Sequence, residues 1–104
     1  MKTPDEASME KVAERVRWLR DHLNLKQKDF ASSIEILPTQ LNNWEKGNQR
    51  LSLQGALKIS KVYGVSLDFL FLGRADTLPQ QMRVAWASRP RVSTSSASSE
   101  NPDT

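Results

Sequence analysis

The sequence predicts an all-α fold: a compact bundle of five short helices over residues 1–73, followed by a tail. Three observations carry this. Apolar residues recur at three- and four-residue spacing up to Gly73. Helix-starting residues (Pro38, Ser52, Ser66) and helix-ending glycines (Gly47, Gly64, Gly73) punctuate those runs. A chain of 104 residues with 38% hydrophobic content makes one domain, with little room for a second.

The first helix is expected from about 4 to about 22. Thr3, Pro4 and Glu6 read as a capping box with proline in the first turn. Met9, Val12, Ala13, Val16, Leu19 and Leu23 then follow helical spacing and point to the core. Lys11, Arg15, Arg17 and Arg20 occupy the other faces, where solvation or ion pairing is expected. Asn24 closes this helix, and Leu25 turns back into the core.

The second helix covers about 27–34 and the third about 38–46. Phe30 and Ile34 share one face, and Leu41 and Trp44 share another. Ala31 is small enough for two helices to cross closely, and Ile36 plugs the corner between them. Pro38 lacks an N–H and fits only a first turn, which dates the third helix, and Gly47 ends it. Asn48 to Arg50 form a polar loop.

Ser52 caps a fourth helix ending at Gly64, with Leu53, Leu57 and Tyr63 assigned to the core and Ile59 to its flank. Ser66 caps a short fifth helix through about Leu72. Its LDFLFL run is apolar nearly all round, more than a short helix buries in its own domain. Phe69, Phe71 and Leu72 are therefore expected to meet a second subunit or the chain's own tail. Residues 74–87, with Leu78, Met82, Val84, Ala85 and Trp86, read as an extra turn or two over the fifth helix, or as a dimer-contact segment. Residues 88–104 are rich in Ser and Pro and are expected to be disordered.

The stretch from Gln27 to Lys46 resembles the lambda-repressor-like (Cro-type, XRE-type) helix-turn-helix family. The matching residues are Gln27, Phe30, Ala31, Ile34, Ile36, Leu41, Trp44, Glu45 and Gly47 in that spacing. A second match runs from Ser52 to Gly73. The resemblance implies a five-helix DNA-binding domain that acts as a dimer. Two positions depart from the family pattern: Glu35 stands where glycine is usual, and Leu37 where a capping Ser or Thr is usual. A left-handed backbone at Glu35 would cost about 1 kcal/mol.

On this reading the third helix enters the major groove. Thr39, Gln40 and Asn43 are the expected base readers, with Pro38 adding shape. Asn and Gln pair both edges of adenine, and methyl groups pack on thymine. Asn42 is expected at phosphate or the flank. Gln27, Lys28, Lys46, Asn48 and Arg50 are expected to grip the phosphate backbone, which fixes register without reading sequence. The function expected is a sequence-specific double-stranded DNA-binding transcriptional regulator, a repressor of phage or bacterial type. The alternative is a protein-interaction module on the same fold, such as an antitoxin or adaptor.

Other classes find little support. The net charge of +3 permits nucleic-acid binding without demanding it. Residues 1–73 carry 11 Lys and Arg against 9 Asp and Glu, so a binding face must come from sorting of charge. No apolar run is long enough for a membrane span, and no secretory signal opens the chain. The absence of cysteine fits a cytoplasmic protein, and with one lone histidine, His22, no metal site or cofactor is expected. No phosphate loop or activated nucleophile suggests an enzyme. No sensor domain is visible, which leaves protein level, proteolysis or an antirepressor as expected means of control.

Overall fold

Ser8 begins the first helix by turning its hydroxyl onto the Lys11 N–H (3.2 Å), so the helix starts later than the sequence predicts. The structure, a computed structural model, describes residues 5–90. The Thr3–Pro4 cap and the chain beyond Pro90 lie outside the described residues. Six α-helices follow one another: α1 (Met9–His22), α2 (Gln27–Ser33), α3 (Pro38–Glu45), α4 (Leu53–Tyr63), α5 (Leu67–Leu72) and α6 (Gln80–Ala87). Short 3-10 turns at Asp5–Ala7 and Ala75–Thr77 complete the fold. There is no strand among the described residues. Among the described residues, five α-helices lie within residues 1–73 and the sixth is the extra helical segment expected in 74–87.

Each end has a local cause. Ser52 and Ser66 cap α4 and α5 through Gly55 N–H (3.0 Å) and Phe69 N–H (2.9 Å). Asn24 turns left-handed at φ 60° after α1, and Leu25 N–H closes back on the Arg20 carbonyl at 3.2 Å. The corner after α2 repeats this: Glu35 sits at φ 61°, and Ile36 N–H reaches the Ala31 carbonyl at 3.0 Å. The expected left-handed residue at Glu35 is therefore present, without glycine.

The core joins Val12, Val16 and Leu19 of α1 to Phe30, Ala31 and Ile34 of α2, Leu41 and Trp44 of α3, Ile59 of α4 and Phe69 and Leu70 of α5. α4 departs from expectation. Leu53 and Leu57 are 60% and 50% exposed, whereas Gly55, Ala56 and Ile59 face inward. The reason is Trp44. Its indole lies where a Cβ on Gly55 would sit, so α4 must present its small residues to that ring and its leucines to solvent. Tyr63, expected in the core, is half-buried and stacks on Phe30 with ring centroids 5.2 Å apart.

α6 covers α5. Trp86 packs edge-on against Phe69 and Trp18, each at 5.0 Å between centroids. Arg89 lies over the Trp86 ring at 3.3 Å and pairs with Glu14 at 3.8 Å, so it is docked against α1 and α6. Phe69 is consequently fully buried in its own chain and is not available as a dimer contact. Phe71 is half-buried, and Leu72 remains 43% exposed.

Candidate nucleic-acid interface

The third helix is held from behind by one carboxylate. Glu45, at the end of α3, is 2% exposed. Its two oxygens accept from Arg20 Nε (2.7 Å) and Nη2 (3.0 Å) in a bidentate fork. A third bond comes from Gln27 Nε2 at 3.0 Å. Arg17 adds a bond from its guanidinium to the Glu45 carbonyl. The fork to Glu45 holds the Arg20 guanidinium above its ordinary pKa. So α1, α2 and α3 are tied at one point, and the orientation of α3 is fixed by charge-assisted bonds as well as by packing. The sequence left the arginines of α1 as solvated or ion-paired without assigning one to the Glu45 carboxylate. Arg20, one helical turn on from Arg17, is the residue that reaches the carboxylate.

Arg15 serves elsewhere. It is buried and donates to the Leu70 carbonyl (3.2 Å), the Glu6 carbonyl (2.6 Å) and the Glu6 carboxylate (2.8 Å). Burial lowers its pKa below the ordinary arginine value, against the raising effect of Glu6. Its task is to tie the chain start and α5 to α1. Glu6 thus ends as an ion-pair partner of Arg15.

The sequence-predicted residues divide into two groups. Pro38, Thr39 and Gln40 are exposed on the first turn of α3, and Asn43 is half-exposed one turn later. Thr39, Gln40 and Asn43 make no side-chain hydrogen bond among the described residues, which leaves their donors and acceptors presented outward. Lys28, Lys46 and Asn48 are also exposed. The first turn of α3 carries no acid, and its N-cap has no side-chain bond. Its N–H groups and partial positive charge therefore face outward uncompensated.

The second group is engaged internally. Gln27 donates to Asn42 Oδ1 (3.2 Å) as well as to Glu45. Its side-chain amide braces α2 against α3 and is not presented to a phosphate as expected. Asn42 is half-buried by the same bond. Arg50 is exposed, but one of its nitrogens donates to the Ala7 carbonyl at 2.8 Å, anchoring the loop after α3 to the chain start. Its remaining N–H groups stay available for a phosphate.

The surface made this way is a short helix whose outward face is amide, hydroxyl and apolar, edged by lysines. No group of three or more His, Cys, Asp or Glu side chains among the described residues is placed to hold a metal ion. No helix among them is long and apolar enough to cross a membrane.

Two comparisons with known proteins bear on this segment of the chain. A family model described as helix-turn-helix matches residues 16–70. Over 65 residues the chain is 38% identical to the repressor protein CI of Enterobacteria phage phi80, a match covering 62% of this chain and 27% of that repressor. The chain therefore spans about a quarter of the length of that relative. No solved structure matches it. The matched residues run from the middle of α1 to α5 and contain the α2–α3 corner with its brace. By that match, over more than half of its length, the chain belongs to the helix-turn-helix family.

Proposed function

We propose that this chain is a sequence-specific double-stranded DNA-binding regulator of transcription, a repressor, and that α3 reads the major groove. The observation that carries the reading is the division of labour on α3. Glu45 is locked inward by Arg20 and Gln27, while Thr39, Gln40 and Asn43 face outward with unused hydrogen-bonding groups. Side chains with paired donors and acceptors on a rigid helix are what base-edge recognition needs. Lys28, Lys46 and the rest of the Arg50 guanidinium lie at its edges as phosphate contacts. The phage repressor similarity supports the direction of control.

We further propose that it acts as a homodimer. Leu72 on α5 and Val84 on α6 (59% exposed) are large apolar side chains left uncovered by the monomer. Two copies would place their α3 helices in successive major grooves, about one helical turn apart.

Selection from a random duplex pool, followed by gel shift at several salt concentrations, tests the DNA reading. A palindromic half-site and salt-sensitive binding are expected. Absence of salt-sensitive binding to any duplex by the folded protein would defeat it. Neutralising Lys28, Lys46 and Arg50 together separates this function from a protein-interaction role: DNA binding should disappear, while a protein partner would still be held.

A further inference from the structure

Among the described residues, Leu37 is the most exposed large apolar side chain, at 71%. It occupies the N-cap of α3, a position where Ser, Thr, Asp or Asn would satisfy an open backbone N–H and where leucine satisfies none. The fold has no visible use for it. Ile36 and Leu41, the residue before the cap and the fourth of the helix, stand at the spacing of a hydrophobic staple, and both are withdrawn from solvent. Nor is Leu37 in a loose loop. Its backbone is extended at φ −78° and ψ 144°, and its carbonyl accepts the first helical bond, from Leu41 N–H at 3.2 Å. An isobutyl group is thus mounted on a fixed backbone at the leading end of α3, next to the exposed Pro38 and two residues before Thr39.

We propose that Leu37 is a specificity-determining residue that takes the 5-methyl group of a thymine in the major groove. This inference rests on the DNA reading above. Thymine is the one standard DNA base that offers a methyl group in that groove, and apolar side chains recognise it by contact. A leucine at this cap gives up a backbone bond and leaves apolar surface in water in the unbound protein, and a thymine methyl reverses the second of these. Burial of one methyl group is worth about a fourfold change in affinity. The position therefore prefers thymine over cytosine and over uracil without any hydrogen bond.

The test uses the full chain and a duplex selected from a random pool. Each thymine of that duplex is replaced in turn by uracil, which removes only the methyl group. At one position per half-site the parent should lose about fourfold in affinity, and Leu37→Ser should bind the thymine and uracil duplexes equally there. Leu37→Ser should also melt no lower than the parent, because serine supplies the missing cap, so a loss of methyl sensitivity cannot be put down to unfolding. Thr39→Ser is the control for the neighbouring methyl group. Uracil scanning that is neutral throughout, or sensitivity that persists in Leu37→Ser and vanishes in Thr39→Ser, would overturn the proposal while leaving DNA binding intact. A folded parent that selects no duplex would overturn both readings together.

Discussion

Glu45 is the residue on which the geometry of α3 turns. Its carboxylate is buried with three donors around it, so removing it strands the Arg20 guanidinium and the Gln27 amide together. Breaking one side of a buried ion pair is costly because the other charge stays behind. Glu45→Ala should lower unfolding free energy by about 3 kcal/mol, seen as a fall in the urea midpoint. Glu35 offers a change of the opposite sign. Its φ of 61° costs a non-glycine residue about 1 kcal/mol, and glycine would return about 0.5 kcal/mol of that through the entropy of the unfolded chain. Glu35→Gly should therefore raise stability by about 0.5 kcal/mol, with an unchanged denaturant slope. This corner was legible in the sequence, since the position and its unusual residue both stood out against the family pattern. The partner of Glu45 was not. Several arginines line α1, and which of them meets a carboxylate depends on how α1 is rotated in the assembled core.

At the scale of the element, α3 and α4 teach opposite lessons. The outward placement of Thr39 and Gln40 was readable because Leu41 and Trp44, three apart, fix the inner face. α4 was misread because its apolar residues suggest an inner face through Leu53 and Leu57. The bulk of Trp44 over Gly55 overrides that pattern, a tertiary fact that periodicity does not carry. It follows that Gly55→Ala should push the indole aside, costing about 1–3 kcal/mol through overpacking, with a changed near-ultraviolet dichroism of the tryptophans as the readout. On α3, Gln40→Ala and Asn43→Ala should each weaken selected over random duplex by about 1–3 kcal/mol where the contact is bidentate. α6 was visible only as a stretch with scattered apolar residues. Its docking depends on Trp86 meeting Phe69 and Trp18, and Phe69 thereby passes from expected dimer contact to core.

Over the whole molecule, charge is balanced rather than in excess. α1 and the turn before it carry Asp5, Glu6, Glu10, Glu14 and Asp21 beside Lys11, Arg15, Arg17 and Arg20, while the exposed face of α3 itself has no acid and is followed by Lys46. Lys46→Gln should weaken binding about equally on every duplex and reduce the salt slope by about 1, because one phosphate contact disappears. The proposed homodimer belongs to this scale too. Leu72→Glu tests that face more cleanly than a change at Phe71, whose side chain is half-buried and packs against the core. Sedimentation should show a folded monomer whose melting temperature no longer depends on protein concentration. An unaltered sedimentation coefficient in Leu72→Glu, from a dimeric parent, would move the contact to another face.

The brace behind α3 has a practical consequence. Glu45, Gln27 and Asn42 bond among themselves and to α1, and none of them calls on positions 37, 38, 39, 40 or 43. Those five outward positions form a replaceable cassette on a fixed mount. Randomising them while leaving the mount untouched should yield a library of folded proteins with new target sequences.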